Sequence, residues 1–358
     1  MNNIFLVKSP LQLLNAIEAK HHFELDDKNC YLLIMGDRKS YSQLMKLVIA
    51  SQQWSNVVLL NRVGLVAGNP WAVCDNLGDI DKLRKTLLRS SLFSIRRLNR
   101  LARAIKDVKY VFIGNNNSPL MRHFANSLDH QQTVLLDDGT ATLDIARQRM
   151  EGQVAPKPSK LSKRIRLAAK RIFQKLNARQ PENVVFFTAY KIAVTGADRV
   201  ISNDFAYLRN RALGLKATET VYFLGSPLSE VGIVSEDKYL ESMRRVKKYY
   251  AGKDVLYVSH RRESPEKLAR LKSEYGFELA CFDYPVEYQL AFVGPRPVEL
   301  ASFISSALDN CRLIFEDKMK IVAFKINEIN ADRRDIVNEI YDNYELSVGE
   351  NFIVETEF

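Results

Sequence analysis

Between Ile4 and Met150, short β-branched runs alternate with stretches of helical periodicity, and that alternation points the chain towards a parallel α/β sheet with crossover helices. The spacing predicts strands over Ile4–Lys8, Tyr31–Met35, Val57–Leu60, Val108–Ile113 and Thr133–Leu136. Helices are predicted from Ser9 to about Ala19, over Tyr41–Ala50, and near Leu120–Leu128 and Thr142–Met150. Ser9-Pro10 has the form of a helix start, with serine as the cap and proline at the first helical position.

After Met150 the pattern breaks. Two prolines fall in Gln153–Ser159, a basic stretch follows, and then Pro181. A second series of strands is predicted at Arg199–Ser202, Val221–Leu224, Val255–Ser259, Leu279–Phe282, Leu290–Val293 and Leu313–Phe315, with helices over Glu236–Tyr250 and Pro265–Tyr275. A length of 358 residues exceeds the ~100–200 of one domain, so two open α/β domains are expected. We expect the first over residues 1–155, a basic amphipathic connector over 156–195, and the second over 196–358.

The composition, 46% hydrophobic and 26% charged, is that of an ordinary globular chain and excludes a disordered or fibrous one. Cys30, Cys74, Cys281 and Cys311 stand far apart, which fits buried thiols in a reducing compartment rather than a disulfide framework or a zinc knuckle. The opening residues lack a basic leader and their apolar run stops at Lys8, so a first strand is expected rather than a signal peptide. No run approaches the ~20 apolar residues of a membrane span. A cytoplasmic protein is expected.

The net charge of +10 is concentrated. Nine Lys and Arg and no acid lie between Lys157 and Arg179, with Leu161, Ile165, Ile172, Phe173 and Leu176 at helical spacing. Lys82–Lys106 is a second basic stretch, interleaved with Leu88, Ile95, Leu98, Leu101 and Ile105. Such helices can lie on an anionic membrane or draw in anionic ligands; equally, they can be solvated faces packed on their own domain. No zinc finger or aromatic RNA-binding motif accompanies the charges, so nucleic acid is not an expected partner.

Open parallel sheets bind ligands beyond the carboxyl ends of their strands, which gives weight to polar residues just after predicted strands. Three places qualify. In Leu136-Asp137-Asp138-Gly139 two carboxylates follow a buried strand. Neighbouring side chains on an extended segment point apart, so one can serve as a general base while the other anchors the turn. His260-Arg261-Arg262 follows Val255–Ser259 and offers an imidazole and guanidinium groups to a phosphate or carboxylate. Glu287 can accept hydrogen bonds from a ribose, and Ser305-Ser306 at a helix start can offer hydroxyls and backbone N–H groups to a phosphate. Each place also has a plain structural reading as a capped turn or an exposed loop. Asp79-Ile80-Asp81 has the form of a metal-dependent sugar-nucleotide motif but follows Gly78 and precedes a helical pattern, where capping is its expected job. No G-x-G-x-x-G, Walker, H-E-x-x-H or G-x-S-x-G motif is present.

Acid-acid-Gly, then His after a strand, then Glu and Ser-Ser is an order that resembles the bacterial sialyltransferases. The likeness is to the lipooligosaccharide sialyltransferases of glycosyltransferase family 52 and the related capsular polysialyltransferases. The opening Lys8-Ser9-Pro10-Leu11-Gln12-Leu13-Leu14 is similar to the start common in that group. The resemblance implies a GT-B fold, two Rossmann-like parallel-sheet domains facing a central cleft, with the acceptor and the base on the first and CMP on the second, whose last helix can cross back. It also implies inverting, metal-independent transfer from CMP-sialic acid to a surface glycan such as lipooligosaccharide or capsule, with no cofactor.

Carried onto this chain, the resemblance puts the base at Asp137 or Asp138, beside Gly139. His260 would assist departure of CMP, Ser305 and Ser306 would hold its phosphate, and Glu287 would bind the ribose. The family's histidine is usually followed by proline, where this chain has Arg261 at the anion site; another CMP-linked acidic sugar, such as Kdo, fits the same logic. The alternatives are a GT-B transferase for a UDP- or GDP-sugar and a non-enzymatic binder of anionic polymers or membranes. The basic helices suggest a lipid-linked acceptor at the inner membrane.

Overall fold

The computed structural model describes residues 1–35, 41–61, 64–68, 95–139, 141–152, 176–327 and 329–358. Asp79-Ile80-Asp81, Cys74, most of the connector's basic stretch and the first half of Lys82–Lys106 lie outside the described residues. The chain divides into two compact units, Met1–Asn203 and Asp204–Phe358.

The first unit holds β1 (Asn2–Val7), β2 (Cys30–Ile34), β3 (Asn56–Asn61), β4 (Gly64–Gly68), β5 (Val108–Ile113), β6 (His130–Leu136), β7 (Val185–Thr188) and β8 (Arg199–Ser202). They form one sheet in the order β4-β3-β2-β1-β5-β6-β7-β8, parallel throughout except for the antiparallel β3–β4 pair. Setting aside β4, the order runs outwards on both sides from β1 and β5, as in a Rossmann sheet. The described helices are α1 (Pro10–His22), α2 (Tyr41–Ser51), α3 (Ile95–Ala104), α4 (Pro119–Ala125) and α5 (Ala141–Met150).

The strands are apolar on both faces because both are covered. Ile4, Leu6, Val111, Ile113, Leu135 and Phe186 belong to one core cluster. Phe5, one residue out of phase with Ile4 and Leu6, instead stacks on Phe112 at a centroid distance of 4.1 Å. Leu98 and Ala102 of α3 are buried in the first cluster while Arg100 and Arg103 are exposed. The described part of that basic stretch is therefore a solvated face on a helix packed against its own domain.

The second unit holds β9 (Ala217–Thr218), β10 (Val221–Leu224), β11 (Val255–Val258), β12 (Glu278–Ala280), β13 (Arg296–Pro297), β14 (Glu299–Ser302), β15 (Lys320–Phe324) and β16 (Phe352–Glu355). Six of them make a sheet in the order β12-β11-β10-β14-β15-β16, parallel at every pairing, again with the Rossmann order; β9 and β13 pair separately. Its helices are α6 (Ala206–Ala212), α7 (Glu236–Tyr249), α8 (Pro265–Ser273), α9 (Val286–Tyr288), α10 (Ser306–Phe315) and α11 (Arg334–Glu345).

Three expectations change. Arg199–Ser202 is a strand, but it pairs with β7 and closes the first sheet, so the first unit runs to Asn203 where the sequence reading begins the second at 196. Leu290–Val293 lies in a π-helical turn, Gln289–Val293, and Leu313–Phe315 is the end of α10. A short apolar run fits a buried helix segment as well as a strand, and the tertiary packing decided for helix. Within the second unit, the Tyr341 and Tyr344 hydroxyls of α11 donate to Phe324 O and Ser305 O.

Candidate functional site

Both switch points, β1/β5 and β10/β14, carry polar groups at the carboxyl edge. In the first unit Ser9 caps α1, its hydroxyl accepting the Gln12 N–H at 3.3 Å, and the cap aims Gln12 back over the end of β1. Gln12 accepts the Lys8 N–H on Oε1 at 2.8 Å and donates from Nε2 to Asp138 Oδ1 at 2.6 Å. Gly114, at the end of β5, leaves room for this: a Cβ there would stand 2.8 Å from Gln12 Oε1. Asn115 follows and donates to Asp138 Oδ2 at 2.8 Å. Asp138 is partly exposed, and burial raises its pKa against the lowering pull of Gln12, Lys8 and Asn115.

Asp137 has a different position. It is 3% exposed, and its two oxygens accept from the Thr188 hydroxyl at 2.6 Å and the Ala189 N–H at 2.7 Å. Its own carbonyl takes Asn15 Nδ2 at 3.1 Å, and Asn15 in turn accepts from Asn203 at 3.0 Å. Burial pushes its pKa up to about 6. Asp137 thus ties the end of β6 to the ends of β7 and β8, while Asp138 is the carboxylate presented at the switch point. Gly139 turns the chain at φ +66°, in the left-handed region, and Thr142 Oγ1 accepts the Asp138 N–H at 3.0 Å, so the acid-acid-Gly segment closes into α5.

In the second unit His260 follows β11, partly buried, with Arg261 and Arg262 exposed beside it. Its Nδ1 accepts the Arg262 N–H at 3.2 Å, which leaves the proton of the neutral ring on Nε2. Burial, then Arg262 and Arg261, depress its pKa to about 4. The His260 N–H donates to Glu263 Oε2 at 2.6 Å. Glu263 also accepts from the Tyr257 hydroxyl at 2.5 Å and pairs with Lys267 at 3.0 Å, both side chains having 0% exposure.

Ser305 caps α10, its hydroxyl accepting the Ala307 N–H at 3.2 Å, and its main chain is held at both N–H and C=O by the Tyr344 hydroxyl, each at 2.9 Å. Ser306 is the first residue of α10. These lie at the carboxyl end of β14, separated from His260's strand by β10 alone, about 10 Å across the sheet. Glu287 is 4% exposed in α9 and accepts from Asn310 of α10 at 2.7 Å, with burial raising its pKa. Its carboxylate is therefore committed to α10 rather than lying open.

The sequence reading gave no role to Gln12, Asn15, Asn115, Glu263 and Lys267. Gln12 and Asn15 carry one signal: with Glu18 they are polar residues at a spacing of three on a helix whose other buried residues are mostly apolar. Glu263 and Lys267 have the i,i+4 spacing of a solvated pair, and nothing in the sequence marks them as buried. Among the described residues no group of three or more His, Cys, Asp and Glu is placed to hold a metal ion, and no helix is long and apolar enough to cross a membrane.

Two Rossmann-type sheets with polar groups at their switch points define an α/β protein of the class whose ligands bind beyond the strand ends. The chain belongs to the family described as alpha-2,8-polysialyltransferase (POLYST), which it matches over residues 3–323, and is a glycosyltransferase of sialyltransferase type. No curated protein matches it. Among solved structures, it is similar to the GT-B domain of a sialyltransferase from Photobacterium damselae, at 12% identity and TM-score 0.47 with 99% of each chain covered. The E. coli heptosyltransferase WaaC with ADP is similar at 12% identity and TM-score 0.42, over 96% of this chain and 99% of that one.

Proposed function

We propose that the protein transfers sialic acid, or a related acidic sugar, from a CMP-linked donor to a glycan acceptor, with inversion and without a metal ion. The family's description suggests an acceptor that itself ends in sialic acid. The observation that carries the reading is the unequal environment of the two aspartates. Asp137 has both oxygens engaged in the core, whereas Asp138 sits at the switch point held by two neutral amides, with lone pairs left on both oxygens.

Asp138 is then the general base. An acceptor hydroxyl oxygen attacks the anomeric carbon, its proton passes to Asp138, and the bond to the CMP phosphate breaks with its electron pair going to the phosphate oxygen. A base with a raised pKa is the better acceptor, and neutral amides orient Asp138 without neutralising it. On the donor side, His260 is neutral in the free protein and would offer its Nε2–H as a hydrogen bond to the departing phosphate; a bound phosphate would raise its affinity for a second proton. The Ser305 cap and the α10 N-terminus would hold the same anion. Glu287 would reach a ribose by releasing Asn310. Arg261 would add a guanidinium to the anion site.

Calorimetric titration with CMP, UDP and GDP, followed by hydrolysis of CMP-sialic acid, tests the reading. CMP is expected to bind and its sugar to be released; binding of UDP or GDP in its place would reject the donor. We also propose that the acceptor is lipid-linked and that the enzyme works at the cytoplasmic face of the inner membrane; failure to associate with anionic liposomes at low salt would count against this.

A further inference from the structure

We infer that Glu263, paired with Lys267, is a positioning residue for the donor-binding edge of the second sheet, acting through the main chain of His260. The inference rests on the donor-side reading above.

The pair sits where three loops meet. Glu263 takes the His260 N–H on one oxygen and the Tyr257 hydroxyl on the other. The Tyr257 hydroxyl bonds to that of Tyr239 at 2.8 Å, and the Tyr239 hydroxyl accepts the Ser226 N–H at 3.2 Å. The Ser226 hydroxyl donates to Ile304 O at 2.7 Å, one residue before the Ser305 cap. Lys267, 4.2 Å from the Tyr239 ring centroid, reaches Ser226 O at 3.4 Å, Ser229 Oγ at 3.3 Å and Glu230 at 3.0 Å. Glu230 accepts the N–H of Ser264, the cap of α8, at 2.8 Å. One buried ion pair therefore links the ends of β10, β11 and β14, the strands on either side of the switch point.

The fold accommodates this pair at the expense of other options. Gly225 directly follows β10, and a Cβ there would stand 2.3 Å from Glu263 Oε2 and 2.6 Å from the Tyr257 hydroxyl. A buried Lys–Glu pair is replaceable in many proteins by apolar residues without loss of stability, so stability alone does not account for it. Its hydrogen bonds go to the backbone of the residues that would face the donor. A displacement of about 1 Å in such a residue reduces turnover by ~10².

The test uses the full chain, with CMP-sialic acid as the probe, and compares Glu263→Ala, Glu263→Gln and Tyr257→Phe, each alone and combined with His260→Ala. Melting temperature, KM and kcat are measured separately. Glu263→Ala is expected to lower kcat/KM by ~10², and Glu263→Gln, which keeps an oxygen for the His260 N–H, to recover to within ~10-fold of wild type. In the His260→Ala background Glu263→Ala should have almost no further effect, because the two act as one unit.

Equal effects of Glu263→Ala in both backgrounds would overturn the inference, as would wild-type kinetics in a folded Glu263→Ala chain. Should Glu263→Ala fail to fold, Tyr257→Phe removes one hydroxyl from the network and passes through the same cycle, with a smaller loss that must again vanish without His260. A wild-type chain that binds no CMP rejects the donor-side reading and this inference with it. CMP binding together with variants that match wild type rejects the positioning role alone.

Discussion

Replacing each aspartate of the acid-acid-Gly turn by alanine should separate stability from catalysis. Asp137→Ala removes the acceptors of the buried Thr188 hydroxyl and of the half-buried Ala189 N–H. An unsatisfied buried donor costs about 1–3 kcal/mol, so the Thr188 hydroxyl alone sets a loss of that size while Asp137 is protonated. Ionisation works against this. The folded pKa of about 6 lies above the ordinary aspartate value of 3.8, so between these values the folded chain binds more protons than the unfolded one, and stability falls as pH rises.

The difference is about two units, or ~3 kcal/mol, fully expressed above pH ~6 and absent below pH ~4. Asp137→Ala should therefore destabilise strongly near pH 4.5 and much less near pH 7.5. Urea unfolding at the two pH values measures this. Asp138→Ala should change unfolding by no more than about 1 kcal/mol, since it breaks two half-exposed bonds to neutral amides, yet lower kcat by ~10²–10⁴. The reverse pattern, a stable inactive Asp137→Ala and an active Asp138→Ala, would refute the assignment.

Further outcomes follow from individual contacts. The imidazole of His260 should titrate near pH 4 in the free protein and move upwards when CMP binds; NMR of the ring protons, with His260→Asn to assign them, measures both values. Gly139→Ala should cost about 1–2 kcal/mol in unfolding free energy, because φ +66° suits glycine. Arg149→Met should cost about 3 kcal/mol, since it strands Asp198, which holds the guanidinium by two bonds at 2.7 and 2.8 Å and also caps the Val184 N–H. Addition of EDTA should leave release of CMP from the donor unchanged.

The alternation of apolar runs and helical periods was enough to place most of the first sheet, because side-chain period is set by local geometry. Val108–Ile113 and Val221–Leu224 are strands to the residue, and Ser9-Pro10 starts a helix as a capping serine and a proline must. The Asp137-Asp138-Gly139 turn and the polar groups after β11 and β14 were legible for the same reason. What the chain could not specify locally is which partner each residue meets. Arg199–Ser202 joins the first sheet because β7 offers it an edge, and Leu290–Val293 winds into a helix because its apolar face packs either way. Asp137 and Asp138 are the same residue type side by side; Thr188 and Ala189, 51 and 52 residues away, engage one, and Gln12 and Asn115 hold the other at the switch point. Glu263 and Lys267 have the spacing of a surface pair and are buried because Tyr239, Tyr257 and Gly225 make room for them. Burial and hydrogen-bond partners come from residues distant in the chain, so only the tertiary structure assigns these roles.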